Sequence, residues 1–207
     1  IVLVTILLSM TLHEAMHAFM GYFLGDDTAK AQGRLSLNPI KHIDPIMTIA
    51  LPLFLAVMGG PIFGGAKPVP FNPYKVRYGE WGAALVAIAG PLTNLLIAFV
   101  VFGVGVLSGV ITSAGVEATL AGQIVITAVS VNLGFFVFNI LPIPPLDGSR
   151  VLYALAPDPV KAGMEYIERY GIFLVFGLVL IGASVLGQIM AGGINGILQL
   201  FMTIFRV

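Results

Sequence analysis

The chain has 207 residues, of which 58 % are hydrophobic and 10 % are charged, with ten basic side chains, ten acidic side chains and no cysteine. A soluble domain of this length carries about 25 % charged residues, so the polar coat of a soluble protein is missing and a lipid bilayer is the natural solvent. The net charge is zero, so the chain lacks the excess of basic residues that binding to nucleic acid requires. The lack of cysteine excludes disulfides, thiolate metal sites and a cysteine nucleophile.

Five segments approach the roughly 20 apolar residues that a spanning helix needs. The first begins inside an apolar run at Ile1, so we expect the numbered chain to start within a helix rather than a signal peptide. The second contains Pro52, which favours a broken or re-entrant segment. The last is long enough for two helices, with a predicted break at Gly192-Gly193 and Asn195. The segments are Ile1–Leu24, Ile43–Phe63, Trp81–Val116, Ala118–Leu146 and Gly171–Phe205.

This pattern predicts an all-α polytopic membrane protein. We expect about five to six transmembrane or re-entrant helices, with a short β element at the membrane face. The chain is read as a single domain over 1–207, with its core at about 1–156 and additional membrane helices at 171–207.

The distribution of lysine and arginine predicts how the chain is oriented. The connection at 108–123 has one acidic residue and no basic one, so the positive-inside rule places it outside the cell. The loops at 64–80 and 147–170 carry basic residues and fall on the cytoplasmic side. The loop at 25–42 joins them there if the segment at 43–63 is re-entrant.

The main chemical signal is the sequence His13-Glu14-Ala15-Met16-His17 within the first apolar segment. On a helix the two histidines are one turn apart and share a face, which lets both imidazoles bind one zinc ion beside Glu14 as a general base. Ionisable groups within a membrane helix are costly and usually functional. The alternative is that the histidines only bond neighbouring helices while Glu14 is protonated.

A catalytic zinc site usually has three protein ligands, so a third must come from elsewhere. His42 is one candidate, but a loop histidine of this kind is more often solvated. Asp147 follows the proline-rich end of an uncharged segment, where freed backbone is tolerated at membrane depth only if it lines a cavity or is buried. The alternative role for Asp147 is an ordinary N-cap of the next helix. Spacing alone leaves the ligand role and the capping role equally open.

Three motifs together resemble the site-2 protease family of intramembrane zinc metalloproteases. They are H-E-A-M-H at 13–17, A-G-P-L-T-N at 89–94 and N-I-L-P-I-P-P-L-D-G at 139–148, and the resemblance covers about residues 10 to 150. It implies His13, His17 and Asp147 as ligands of one zinc ion and Glu14 as catalytic base. It also implies Asn94 and Asn139 as polar groups near the substrate carbonyl, with interhelical hydrogen bonding as the equal alternative.

Two further stretches, at 33–39 and 66–70, resemble the minimal, mostly prokaryotic branch of that family, which lacks PDZ and CBS domains. The implied function is hydrolysis of peptide bonds within or near transmembrane segments in a prokaryotic cell membrane. The expected partners are the bilayer, single-span membrane protein substrates and a second copy of the chain, with no nucleic acid. An unwound substrate would pair with an edge strand from Gly64–Pro73 or Arg34–Asn38. The rival functions are a metal or proton transporter and a structural zinc protein.

Overall fold

The computed structural model describes residues 1–57, 64–180 and 182–207. In this part of the chain, helices dominate, and the only sheet is a two-stranded antiparallel hairpin. The helices are α1 (Val2–Phe23), α2 (Thr28–Ala31), α3 (Leu51–Val57), α4 (Gly79–Leu107), α5 (Leu120–Asn139), α6 (Gly148–Leu155), α7 (Asp158–Glu168), α8 (Gly171–Leu180) and α9 (Ala183–Phe205). The strands are β1 (Ile111–Thr112) and β2 (Gly115–Val116), a 3-10 turn covers Pro39–His42, and a π-helical turn at Pro45–Ala50 leads directly into α3.

Four helices are long and apolar enough to cross a bilayer: α1, α4, α5 and, over Ser184–Phe205, α9. A shorter apolar helix covers Pro45–Leu55. The predicted all-α polytopic membrane fold is therefore confirmed. The apolar core lies where α4, α5 and α9 meet, around Phe102, Leu133 and Phe201.

The polar loops meet at one end of the bundle. The Asp26 carboxylate accepts a hydrogen bond from the backbone N–H of Asn72 at 2.8 Å, which joins the loop after α1 to the loop before α4. Lys161 of α7 donates to Glu80 at the start of α4 at 2.6 Å. The hairpin lies at the other end, about 43 Å away along the 29 residues of α4. The loops at 25–42, 64–80 and 147–170 therefore lie at the same end of the bundle, as the prediction that they share one side of the membrane requires.

The segment from 43 to 65 begins and ends at that same end of the bundle. The N–H of Gly65 donates to the carbonyl of Met47 at 3.1 Å, and the N–H of Lys67 donates to the carbonyl of His42 at 2.9 Å. The described helical part, Pro45–Val57, is about 20 Å long, which is too short to cross a hydrocarbon core of about 30 Å. The re-entrant interpretation is favoured over a full crossing, although Gly59-Gly60-Pro61 lies outside the described residues.

Two sequence expectations were wrong in position. Helix α9 continues through Gly192, Gly193 and Asn195 without a break. Gly193 lies against α5, where an added side chain would come within 2.8 Å of Val137. Glycine there permits close packing, and the chain turns instead near Gly182. The β element is the hairpin between α4 and α5, whereas the described residues of Gly64–Pro73 and Arg34–Asn38 form no strand.

Candidate metal centre

Three ligand-type atoms converge between α1 and the start of α6. The Nε2 atoms of His13 and His17 are 3.0 Å apart. The Oδ2 atom of Asp147 lies 3.2 Å from Nε2 of His13 and 3.5 Å from Nε2 of His17. Within the part of the chain that is described, this is the one group of three or more histidine or carboxylate side chains arranged to hold a metal ion.

The two histidines lie inside a helix that can span the membrane. They occupy the same face of α1 because they are four residues apart. Phe23 ends α1 six residues after His17 and ten residues after His13. At 1.5 Å per residue, the imidazoles lie about 9 and 15 Å from the C-terminal end of this helix.

Asp147 stands at the N-cap position of α6, but its side chain makes no capping hydrogen bond. Its carboxylate is directed at the two imidazoles instead, so of the two alternatives the sequence left open, the structure favours the one in which Asp147 joins the histidines. Burial raises the pKa of this carboxyl, but the imidazoles beside it outweigh burial and hold that pKa below its usual range. Asp147 therefore offers a charged oxygen.

The second ring nitrogen of His17 fixes the state of that imidazole. Its Nδ1 lies 2.8 Å from the backbone carbonyl of Val86 on α4. A carbonyl only accepts, so Nδ1 must carry a proton, and the neutral imidazole then presents the lone pair of Nε2 to the centre of the site. This is the arrangement that metal-binding histidines adopt.

A chain of buried amides fixes His13 in the same way. Asn132 on α5 donates to the carbonyl of Ala128 at 2.8 Å, so its Oδ1 faces Asn94, which must donate its NH₂ to it at 2.9 Å. The Oδ1 of Asn94 then faces Nδ1 of His13 at 2.6 Å and accepts its proton. Asn132 also donates to the Ser9 hydroxyl at 2.9 Å. Both asparagines are buried, and together they direct Nε2 of His13, a lone pair in the neutral imidazole, to the centre of the site.

Gly90 on α4 provides the space for both rings. A Cβ atom at this position would lie 2.6 Å from Cε1 of His17 and 2.8 Å from Cε1 of His13. Real side chains do not tolerate such contacts, so any larger residue would displace the imidazoles. The G-P-x-x-N segment of α4 therefore serves the site twice, through the space at Gly90 and through the hydrogen bond of Asn94.

Glu14 lies on the wall of a cavity of about 330 Å³ that opens beside His17 and Asp147. One of its oxygens, Oε2, accepts a hydrogen bond from the backbone N–H of Val69 at 3.0 Å, and Oε1 makes no hydrogen bond to the described residues. Arg150 lines the same cavity and pairs with Glu168 of α7. The other lining residues are mostly apolar: Pro68, Val69, Phe71, Ala83, Val86, Ala87 and Pro145.

This donor set fits a zinc ion. With both Nδ1 atoms protonated, the Nε2 atoms of two neutral imidazoles and a carboxylate oxygen face one another at 3.0–3.5 Å, so a positive charge at the centre, a proton or a metal ion, is needed to hold them together. Zn–N bonds of about 2.0–2.1 Å in a tetrahedron put ligand atoms about 3.3 Å apart, which matches the observed spacing. Two neutral imidazoles and one carboxylate are also a donor set that zinc prefers.

Sequence comparisons identify relatives of the chain. It is 42 % identical over 207 residues to a Bacillus subtilis protein named "Putative zinc metalloprotease YwhC", and the match covers 98 % of this chain and 91 % of YwhC. The chain belongs to this zinc metalloprotease family. It is 30 % identical over 84 % of its length to Rip2 of Mycolicibacterium smegmatis, of which the match spans 64 %, and Rip2 has the same descriptive name. MJ0611 of Methanocaldococcus jannaschii, named likewise, is 40 % identical over 67 residues. No family model and no solved structure matches the chain.

In this member of the zinc metalloprotease family, three other residues that the sequence analysis considered for the site, Asn139, His42 and Asn94, do not line the cavity. The Asn139 side chain donates to the carbonyl of Phe135 in its own helix at 3.0 Å and does not line the cavity. His42 is fully buried and bonds the carbonyl of Ser36 at 2.7 Å, so it is neither a solvated loop residue nor part of the three-residue group. Asn94 is buried behind His13, so it contacts the ring rather than the cavity where a substrate carbonyl would lie.

Three residues of the site and its hydrogen-bond network were not identified from the sequence: Asn132, Ser9 and Arg150. Asn132 lies 38 residues from Asn94, and Ser9 lies 85 residues before Asn94, so only the packing of α1, α4 and α5 brings them together. An uncharged amide in the middle of an apolar segment was the signal available for Asn132. Arg150 follows Asp147 by three residues, which places both on one face of the turn that begins α6.

Proposed function

We propose that the chain is an intramembrane zinc metalloprotease of the site-2 type, from its minimal branch, in a prokaryotic cell membrane. The observation that carries the proposal is the convergence of His13, His17 and Asp147 beside an open cavity, below the end of a helix that can span the bilayer. The family of the chain supports metalloprotease chemistry, and the depth of the site supports its use on membrane-embedded substrates.

His13, His17 and Asp147 would hold one zinc ion per chain. When bound, zinc supplies Lewis acidity, which polarises a scissile carbonyl and makes water a better acid at neutral pH. The hydrogen bonds that the Nδ1–H groups donate to Asn94 Oδ1 and to the Val86 carbonyl would keep both imidazoles in the required tautomer and orientation throughout turnover.

Glu14 would act as general base and then as general acid. Its carboxylate follows His13 directly in the sequence and lines the cavity with His17 and Asp147. The bond from Val69 N–H holds Oε2 in place, and the other oxygen is available to take a proton from the attacking water. The same carboxyl would then donate that proton to the leaving amine.

A substrate would enter as an unwound stretch of a single-span membrane protein. A helix hides its amide groups, so local unwinding must precede hydrolysis. The segment Pro68–Phe71 borders the cavity, and Arg34 donates to the carbonyl of Lys67 at 2.6 Å, so the two stretches considered for substrate pairing lie side by side. We propose that the substrate lies along this border.

The rival functions make different demands on the same residues. A structural zinc site requires a fourth protein ligand, yet among the described residues the group has three members and a cavity beside it. A transporter would need paired half-helices in corresponding parts of two repeats, and the sequence contains no internal repeat. Glu14 on the cavity wall favours hydrolysis over both.

The deciding experiment combines metal analysis with proteolysis. Detergent-purified protein should contain about one zinc per chain and cut a reconstituted single-span membrane protein. Glu14→Gln should keep the zinc while cleavage falls by about 10²–10⁴-fold, because an amide cannot accept the proton. Glu117→Gln, at the hairpin end of the bundle, is the matched control and should cleave normally. Wild-type cleavage by Glu14→Gln would refute the assigned base, and protein that binds no zinc after reconstitution would refute the site.

A further inference from the structure

Helix α9 carries its polar side chains on the face that points away from the rest of the chain. Its apolar residues Phe201, Ile197 and Phe205 pack into the core against α4 and α5. Only 11 % of the most apolar 18-residue stretch of α9 is buried inside the protein, compared with 44 % for the corresponding stretch of α4. The exposed face includes the amides Gln188, Asn195 and Gln199 and the glycines Gly192 and Gly196, which are together called the amide stripe here.

The amide stripe is continuous along one side of the helix. At 100° per residue, the three amides lie within about 40° of one another, and the two glycines extend the stripe to about 100°. A side chain built on Gly192 or Gly196 would meet nothing within 4 Å. Within the described chain, none of the three amide side chains makes a hydrogen bond. By contrast, the hydroxyl of Thr203 on the same helix donates to the backbone carbonyl of Gln199.

Lipid is a poor neighbour for this face. Asn195 lies at the middle of Ser184–Phe205, so its amide sits near the bilayer midplane, where nothing in hydrocarbon can bond it. Helix interfaces in membranes are formed by small residues that allow close approach and by amides that bond across the interface. The amide stripe combines both features, while the apolar face of the same helix is already used by the core.

We propose that the amide stripe is a self-association surface, through which two copies of the chain form a parallel dimer. All copies insert with one orientation, so a two-fold axis relating them runs along the membrane normal, and each stripe residue faces its own counterpart. An amide both donates and accepts, which makes Gln188, Asn195 and Gln199 complementary to themselves. Gly192 and Gly196 would let the two helices approach closely enough for these bonds.

Cysteine cross-linking tests this surface cleanly, since the native chain has no cysteine. Single variants Asn195→Cys and Gln199→Cys should form covalent dimers under mild oxidation in membranes. Leu200→Cys and Ile204→Cys are the controls: both positions are exposed on α9, at 57 % and 52 %, and lie about 100° or more away from Gln199 around the helix. These controls should remain monomeric.

Mass measurement in lipid nanodiscs gives the second readout. Wild-type protein should have twice the mass of one chain, and the triple variant Gln188→Leu, Asn195→Leu, Gln199→Leu should have the mass of one. Leucine favours the bilayer, so the variant remains inserted, and an unchanged zinc content would show that it is folded. A monomeric wild type, equal cross-linking at all four positions, or cross-linking of Gln199→Cys to a different membrane protein would each overturn the proposal.

Discussion

Nδ1 of His13 lies 2.6 Å from Oδ1 of Asn94, and this single hydrogen bond joins the candidate metal centre to a polar network that crosses three helices. Beyond Asn94, the network continues through Asn132 on α5 to Ser9 on α1. Amides buried in a membrane protein are costly unless they are bonded. Here the bonded amides hold the orientation of one imidazole.

Replacing Asn94 should therefore weaken the metal site. In Asn94→Leu the N–H of His13 loses its acceptor and the ring loses its fixed orientation, so zinc affinity should fall by about 10- to 100-fold. Zinc content measured during titration with a chelator reports this directly. Asn139→Leu is the matched control, because the Asn139 amide bonds only its own helix. Equal affinity in the two variants would contradict the role given to Asn94.

Gly90 tests the space for the imidazoles. Gly90→Ala places a methyl group against both rings, so the imidazoles must move and we expect zinc binding and cleavage to be lost. Gly134→Ala on α5 is the control, since a Cβ there would meet nothing within 4 Å. The spectrum of cobalt-substituted protein would show the disturbed ligand geometry. An unchanged cobalt spectrum in Gly90→Ala would be incompatible with the described packing.

Asp147→Asn distinguishes a metal ligand from a helix cap. Asparagine caps a helix as well as aspartate does, so a capping role predicts a nearly silent change. A ligand role predicts weaker zinc binding and collapsed cleavage, because the charged oxygen is lost while the metal keeps its two positive charges. Zinc content and proteolysis are measured together, with Asp158→Asn at the exposed start of α7 as control. Full cleavage by Asp147→Asn would leave the site without its third ligand.

The two ends of the bundle should lie on opposite sides of the membrane. A membrane-impermeant maleimide added to intact cells should label Ser113→Cys in the hairpin. It should label Tyr74→Cys, which replaces a residue 97 % exposed, only after the cells are opened. The reason is the cluster of basic residues at the end that carries 64–80 and 147–170. The reverse pattern of labelling would invert the topology and put the metal site nearer the outer face.

Much of the architecture follows from the sequence alone. Uninterrupted apolar length predicts the helices that became α1, α4 and α5, because a segment in lipid must bond its own backbone. The pair His13 and His17 was predicted from local spacing, since a helix turns by a fixed angle per residue. Where a property depends on neighbours within one turn, the sequence was sufficient.

Only the tertiary structure decided matters that depend on residues far apart in the chain. Whether Asp147 caps α6 or turns to His13 is a question of how the end of α5 packs against α1, and both outcomes have the same local sequence. The same holds for Asn94 and Asn139, two asparagines of similar setting, of which one meets an imidazole and the other its own helix. At Gly193, where the sequence predicted a break, the helix is continuous and packs closely against Val137. A pattern along the chain fixes which face a side chain is on, and packing between helices decides what that face meets.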